Sequence, residues 1–249
     1  LFQPGFEQGF AMVGAERAYA EAGVSGAQRV STVAETEAAI ANGTPVYTDD
    51  FAGDLNQWAV EQQPDGSVRI EACRLIIADQ GGCTVWFRPR LTAPIRISYD
   101  VTLSSKARVS DLNCFWMASV IGDAAVPPFA PGHARDGKFS AYDTLRTYYV
   151  GYGGNANTTT RFRRYDGTGH KPLLPQHDLG APKFLLQADH TYHIEITVDG
   201  TGRTRWSRDG EVVFDFQDPA PLTSGWFAFR TVQSRLEIAH FKVAKLAAQ

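Results

Sequence analysis

Short apolar runs with a two-residue period dominate this chain and restrict what it can fold into. From Val46 onward about a dozen such runs follow one another, among them WAVEQQ, IRISYDVTL, YHIEITVDG and GWFAFRTV. Asp-Gly pairs at 65–66, 199–200 and 209–210 separate several of them and are strong hairpin signals. No convincing helical period lies between the runs. We therefore predict an all-β protein built as a jelly roll, with two antiparallel sheets packed as a sandwich.

The alternation within each run predicts which side chains face the core. In residues 192–198 the even positions are apolar and the odd positions are polar, which is typical of a half-buried strand. In the last run, residues 236–243, the same period places His240 on the side of Leu236 and Ile238. We interpret His240 as a structural residue for that reason.

The first 45 residues differ in composition from the rest. They are rich in alanine and glutamate, and AMVGAERAYAEAG and TVAETEAAIANG each predict a short helix. Thr32 and Glu35 form a capping box, and Asn42 with Gly43 is a stop signal for the second helix. Because about 40 residues rarely hold a core alone, we predict a helical extension over residues 1–45 that packs on a sandwich over residues 46–249.

Charge and hydropathy narrow the function classes. The 249 residues carry 24 basic and 27 acidic side chains, a formal net charge of -3, which does not favour a nucleic-acid partner. No apolar run approaches the roughly 18 residues of a membrane helix. The first ten residues lack the charged start and apolar centre of a signal peptide. We expect a mature, soluble protein with no nucleic-acid or membrane partner.

The cysteines and acidic turns leave two questions open. Cys73 and Cys83 flank a predicted turn, so they form either a disulfide across facing strands or two separate thiols. Cys114, in NCFWMASV, is expected to be a small buried apolar residue. The acidic residues of DDFAGD, at positions 49–54, are typical of turns and do not require a bound ion. We therefore predict no metal site and no cofactor. The candidate ligands for a structural calcium ion would otherwise be Asp49, Asp50 and Asp54.

Residues 142–177 form the most polar stretch of the chain. Tyrosine, asparagine, arginine and histidine fall there among glycines and threonines, with few apolar residues between them. A segment built only for packing would alternate at strand period, whereas this one consists largely of hydrogen-bond donors, acceptors and aromatic faces. The composition suits a sugar-like, anionic ligand.

Strand alternation places several of these side chains on one surface. In TTRFRRY, Arg161, Arg163 and Tyr165 share a face, while Phe162 points to the core. A guanidinium on that face can hold a carboxylate through two parallel hydrogen bonds. The same arginines can instead pair with nearby aspartates in a structural network.

Neighbouring blocks supply further candidates for ligand binding. In SDLNCFWMA, Asp111 and Asn113 lie on the polar face. The loop GYGGNAN offers backbone donors that its glycines leave unobstructed, and Tyr149 and Tyr152 flank it on opposite strand faces. A proline- and glycine-rich loop around residue 133 can fold over the same cleft. The remaining candidate contacts are Trp116, Tyr148, Asn155, Asn157, His133 and Arg135.

The order of these blocks carries a resemblance. The chain resembles the concanavalin A-like jelly-roll superfamily in a series of short blocks. In order these are DDF, TVWF, PIRISYDV, SDLNCFWMA, YYVGYGGN, TTTRFRRY and GWFAFRT. More narrowly they resemble YesU-type proteins of bacterial polysaccharide-utilisation clusters and a related uncharacterised domain family. The resemblance covers residues 47–243 and implies a jelly roll whose concave sheet binds carbohydrate, in a secreted or periplasmic protein. It names no reaction, because the fold hosts lectins, hydrolases and lyases.

Three roles stay open for such a site. Elimination at a uronic acid needs a group that neutralises the carboxylate, a base and an acid, and we nominate Arg161, Tyr149, His170 and His177. We expect nearby arginines to lower the pKa of a tyrosine base from about 10. Hydrolysis needs paired carboxylates, for which Asp111 and Asp143 are candidates. A non-catalytic binding module needs no catalytic acid or base. We predict a polysaccharide lyase ahead of a glycoside hydrolase or a non-catalytic module.

Overall fold

A computed structural model describes residues 43–247. The two predicted N-terminal helices lie outside the described residues. The division at residue 45 therefore stays a prediction. The strands within the described range are β1 Thr44–Asp49, β2 Trp58–Gln62, β3 Ser67–Ile70, β4 Leu75–Ala78, β5 Cys83–Phe87, β6 Leu91–Thr92, β7 Ile95–Leu103, β8 Leu112–Val120, β9 Leu145–Gly153, β10 Thr159–Asp166, β11 Asp178–Leu179, β12 Thr191–Val198, β13 Arg203–Arg208, β14 Glu211–Gln217, β15 Ser224–Thr231 and β16 Arg235–Lys245.

These strands form two antiparallel sheets. Sheet I has the order β14-β13-β12-β7-β16-β4-β3, with β1 paired to β16. Sheet II has the order β11-β10-β9-β8-β15-β5-β2, with β6 paired to β15. Short 3-10 turns at Phe139–Tyr142, Pro175–His177 and Pro182–Phe184 lie in the connections. The prediction of a two-sheet antiparallel sandwich is confirmed.

The apolar faces of the two sheets meet in one core. In β12 the even positions are buried and the odd positions are partly or fully exposed, as the sequence period predicts. β7 shows the same alternation over all nine residues. Rings from both sheets meet in this core, including Trp116 and Phe229 from sheet II and Trp206 from sheet I. Burial of these faces supplies the main driving force for folding.

A bulge in β16 overturns the predicted placement of His240. The pairing of β16 with β7 shifts register around this residue, and His240 has a positive φ of 53°. One extra residue in a strand reverses the side to which the following residues point. Phe241 therefore enters the core together with Leu236, while His240 is exposed and lies 2.8 Å from Asp100 through Nδ1.

Cys73 lies in a two-residue turn, and strand β4 separates it from Cys83. The run VRIEACRLIIAD forms a hairpin of β3 and β4 that turns at Ala72 and Cys73, with φ of 51° and 55°. Cys73 is exposed at this turn, and Cys83 is buried at the start of β5. All three cysteines are free thiols, so the disulfide alternative is not realised.

The acidic turn before β2 is held by hydrogen bonds within the chain. Asp49 accepts hydrogen bonds from the Phe51 amide and from Trp58 Nε1, both at 2.8 Å. Asp54 accepts one from the amide of Asn56 at 2.9 Å.

Within residues 43–247, no three histidine, cysteine or acidic side chains are placed to hold a metal ion. Over the same range no helix has the length and apolarity to cross a bilayer.

Residues 121–143, which we call the cover segment, connect β8 to β9 and fold over the outer face of sheet II. Tyr142 and Phe129 of this segment pack against Trp86 and Phe115 of the sheet. Together they belong to a second cluster of buried rings, separate from the core between the sheets. This is why the central strands of sheet II are buried on both faces.

Candidate functional site

The strand register aligns a row of polar positions across the outer face of sheet II. Each member lies directly opposite the next on a neighbouring strand, and we call the set the polar row. Because neighbouring strands lie about 4.8 Å apart, a row across seven strands spans roughly 29 Å. In order its members are Glu61, Thr84, Arg230, Asn113, Gly151, Arg161 and Asp178.

A second row runs beside the first, two residues further along each strand. It pairs Trp86 with Ala228, Ala228 with Phe115, Phe115 with Tyr149, and Tyr149 with Arg163. Between β5 and β9, the outer face of sheet II thus places hydrogen-bonding groups beside the aromatic rings of Trp86, Phe115 and Tyr149. No residue spacing in the sequence shows this arrangement, because the members come from seven different strands.

One end of the two rows opens to solvent as a cleft of about 440 Å³. The arginine face predicted for TTRFRRY lines it, and Phe162 of that strand is in the core as expected. Sequence reasoning missed Phe139 and Lys171, which also line the cleft, as does Gly151 of the predicted glycine-rich loop. The sequence-predicted residues that the fold brings together there are Asp111, Tyr149, Asn155, Arg161, Arg163, Tyr165 and His170.

The basic side chains of the cleft differ in their partners. Arg161 pairs with both oxygens of Asp178, at 2.7 Å from Nε and 3.2 Å from Nη2, and this pair lowers the pKa of Asp178 below its usual value. Lys171 Nζ lies 2.7 Å from Asp143. Arg163 donates from Nη1 to the Lys171 carbonyl and makes no ion pair with any described residue. Arg163 is therefore the guanidinium of this cleft that remains available for an anion.

The two tyrosines of the cleft, Tyr149 and Tyr165, have raised pKa values, whereas the sequence predicted a lowered one. Burial raises the pKa of Tyr149 well above 10, and burial likewise raises the pKa of Tyr165, although Arg163 and Arg230 act in the opposite direction on Tyr165. The expectation of an arginine-lowered tyrosine pKa is wrong, because desolvation outweighs the nearby cations. Both phenols are neutral near pH 7, and neither hydroxyl has a hydrogen-bond partner among residues 43–247.

A left-handed turn forms the rim of the cleft after β9. Asn155, Ala156 and Asn157 have φ of 52°, 58° and 61°, a conformation that costs roughly 1–2 kcal/mol per residue outside glycine. Asn157 stabilises the turn by accepting from the Leu186 amide at 2.8 Å and donating to its carbonyl at 2.9 Å. Asn157 is thus a structural anchor, whereas Asn155 lines the cleft.

Three aromatic candidates lie in the core between the sheets. Trp116 donates to Thr204 at 3.0 Å, and the Tyr148 hydroxyl donates to Asp218 at 2.7 Å. The Tyr152 hydroxyl accepts from Arg208 at 3.0 Å. All three rings are at most 1% exposed because their strand positions point inward. They cannot stack on a ligand in the cleft.

Four further candidates also lie outside the open cleft. His177 is buried against Phe162, and desolvation lowers its pKa. His133 bonds Asp123 at 3.0 Å, and Arg135 donates to three carbonyl groups of the cover segment, at residues 128, 133 and 141. Asn113 belongs to the polar row but is only 2% exposed.

Known structures with the same fold extend over nearly the whole described sandwich. A protein of unknown function with a galectin-like fold from Bacillus subtilis aligns with a TM-score of 0.66 and 18% identity, over 84% of this chain and 99% of that one. The carbohydrate binding module CBM66 from Bacillus subtilis aligns at 0.54 and 11% identity, over 77% and 97%. An endo-beta-1,3-glucanase from Pyrococcus furiosus aligns at 0.54 and 10%, over 82% and 95%.

These likenesses concern the fold. They confirm the jelly-roll resemblance, while the narrower resemblance to YesU-type proteins is not confirmed. No curated protein sequence matches the chain significantly. A family model matches residues 77–241, which is more than half of the chain and contains most of the two rows. The chain therefore belongs to the family described as Domain of unknown function (DUF6250).

Proposed function

We propose that the cleft binds an acidic, uronate-containing oligosaccharide. The observation that carries this proposal is Arg163, a guanidinium without a carboxylate partner that lines the cleft beside the rings of Tyr149 and Tyr165. A guanidinium binds a carboxylate through two parallel hydrogen bonds. Aromatic rings next to polar groups suit a ligand with both apolar faces and hydroxyl groups.

The fold gives this proposal a context. A carbohydrate binding module and a glucanase share the sandwich fold. Such likeness is compatible with many functions, so the argument depends on the residues of the cleft. Because polymeric glycans are found outside the cell, we also propose a secreted or periplasmic location.

Hydrolysis has less support from the cleft residues. The mechanism needs two carboxyl groups roughly 5–10 Å apart on either side of the scissile bond. Asp111 is the acidic side chain that lines the described cleft, and it is bonded to Ser110 at 2.6 Å. Asp143, the other predicted acid, is paired with Lys171. A second free carboxylate is thus missing from the described cleft lining.

Elimination is the second candidate, and one observation favours it. Tyr149 lies directly opposite Arg163 on the neighbouring strand, and its neutral hydroxyl lines the same cleft. In this reaction Arg163 would neutralise the uronate carboxylate and Tyr149 would donate a proton to the leaving oxygen. His170, whose side chain is 72% exposed, would take the proton from C5.

Calorimetric titration with galacturonate oligomers tests the binding proposal. We expect measurable binding, and we expect the carboxyl-reduced oligomers to bind at least tenfold more weakly because they cannot pair with Arg163. Equal affinity for both forms would refute the acidic specificity. In the same samples, the ultraviolet absorbance of a newly formed double bond reports elimination. Binding without this absorbance would identify a protein that binds the oligomer and does not cleave it by elimination.

Replacing Tyr149 with phenylalanine separates the two candidates. If the phenol is the proton donor, we expect kcat for double-bond formation to fall about 100-fold or more, with little change in Kd. If the protein only binds, the same variant changes Kd by less than tenfold, which corresponds to one neutral hydrogen bond. The phenylalanine ring keeps the packing with Phe115, whose ring centroid lies 5.2 Å away.

Gly151 forms an open position in the floor of the cleft. A Cβ atom there would lie 2.8 Å from the Tyr149 hydroxyl, so Gly151→Ala must displace the phenol or narrow the cleft. We expect the affinity for galacturonate oligomers to fall at least tenfold, measured by calorimetry. Gly53→Ala is the matched control, because a Cβ atom at position 53 meets no atom within 4 Å. Unchanged binding by Gly151→Ala would place the ligand elsewhere.

A further inference from the structure

We propose that the binding groove continues beneath the cover segment, where Arg230 forms a second carboxylate-binding site that opens when this segment is displaced. The inference rests on the proposed function and extends it to longer ligands. Its starting point is the polar row, which does not stop at the open cleft. Beyond Gly151 the row continues through Asn113 to Arg230, and the cover segment lies above that part.

Arg230 is a buried cation with unused hydrogen-bonding capacity. Its side chain is 0% exposed, and Nη1 donates to Thr84 at 2.8 Å and to the Gly137 carbonyl at 2.9 Å. Neither Nε nor Nη2 has a hydrogen-bond partner in the part of the chain that the structure describes. Within the same range no carboxylate forms an ion pair with it. Native interiors rarely leave a guanidinium in this state.

The partners that Arg230 does have are aromatic rings. Its Cζ lies 5.0 Å from the ring of Phe139 and 4.8 Å from the ring of Tyr142. Such contacts offset part of the cost of burying a cation but leave the N–H groups unsatisfied. Asn113, opposite Arg230 on the neighbouring strand, likewise has an Oδ1 without a partner in the described chain. A bound carboxylate and hydroxyl would satisfy these groups.

Phe139 separates the two parts of the groove. Its ring lines the open cleft, lies 5.6 Å from the Tyr149 ring, and covers Arg230 on its other side. The Phe139 ring therefore lies between the open cleft and the buried guanidinium of Arg230. Displacing Phe139 would join the cleft to the covered half of the polar row.

The cover segment is held together by its own hydrogen bonds and packs on sheet II through the rings of Phe129 and Tyr142. Arg135 ties it internally by donating to the carbonyl groups of residues 128, 133 and 141. Hydrogen bonds and an ion pair attach it as well: Glu61 accepts from the Arg135 amide and from the Tyr142 hydroxyl, each at 2.7 Å. Arg230 and Gln63 donate to its carbonyl groups, and Lys171 pairs with Asp143. Breaking these contacts leaves the internal bonds of the segment intact.

Ligand length provides the test. We expect a galacturonate hexamer to bind the intact protein at least tenfold more tightly than the dimer, because only the hexamer reaches Arg230. In Arg230→Gln we expect this gain to disappear while the dimer keeps its affinity, which also shows that the variant is folded. Equal affinity of dimer and hexamer, with Arg163 still required, would overturn this inference alone. Binding of neither oligomer would overturn the proposed function as well.

A second variant tests the displacement itself. Tyr142→Phe removes one bond between the cover segment and Glu61, which favours the open form by roughly fivefold. We expect the hexamer to bind about fivefold more tightly and the dimer unchanged. Hydrogen exchange of residues 135–142 should accelerate when the hexamer binds. Unchanged or slower exchange there would contradict the displacement.

Discussion

We expect Arg163→Gln to weaken the binding of galacturonate oligomers by roughly 10- to 100-fold, the effect of losing charge-assisted hydrogen bonds to a carboxylate. The reason lies in the partners of the cleft: Arg161 and Lys171 are paired with Asp178 and Asp143, and Arg163 is not paired. Glutamine keeps a polar, uncharged end group on a shorter side chain. Titration calorimetry with intact and carboxyl-reduced oligomers measures the result, and only the acidic ligand should respond.

The control for this variant is Arg69→Gln. Arg69 is a partly exposed arginine on sheet I that pairs with Glu71 at 2.7 Å, away from both rows. We expect it to leave binding unchanged. Because Arg163 makes a single hydrogen bond, its variant should also melt within a few degrees of the parent. A variant that melts normally and binds normally would remove Arg163 from the site and refute the proposed specificity.

We expect Asp218→Asn to destabilise the fold by about 3 kcal/mol, because it breaks a buried ionic network. The carboxylate is 4% exposed and accepts from the Tyr148 hydroxyl at 2.7 Å, from Arg164 Nε at 3.0 Å and from the Ala220 amide at 2.9 Å. An amide at this position has one acceptor oxygen and leaves Arg164 without its ion pair. Urea unfolding of both proteins at neutral pH measures the difference.

The pH dependence gives this prediction a second readout. Burial opposes ionisation of Asp218, but its hydrogen bonds outweigh burial, so its pKa lies below the usual value. A lowered folded-state pKa contributes stability above the unfolded value of about 3.9, and this contribution is lost as the pH falls through the folded value. The difference between parent and variant should thus be constant above about pH 5 and shrink in more acidic solution.

Asp215→Asn is the matched control for the stability experiment. Asp215 pairs with Arg203 and Arg205, but its side chain is 35% exposed, so solvent screens both pairs. We expect a loss below about 1 kcal/mol. An equal loss in both variants would show that burial of the Asp218 network adds nothing.

Part of the site could be predicted because strand period is a local property. The alternation in TTRFRRY placed Arg161, Arg163 and Tyr165 on one face, and all three line the cleft. The same rule puts Trp116 on the inner face. The residue type alone, however, does not distinguish a tryptophan that stacks on a sugar from one that packs in the core. Only packing distinguishes the two roles.

The sequence by itself determined the fold class, because a period of two over many short runs cannot bury its apolar face except in packed sheets. It also located the polar stretch that borders the cleft. The tertiary structure decided which side chains meet, since register between distant strands sets each neighbour. It alone joins Arg230 of β15 to Arg161 of β10 in one row, turns His240 outward at a bulge, and places burial above charge in setting the pKa of Tyr149.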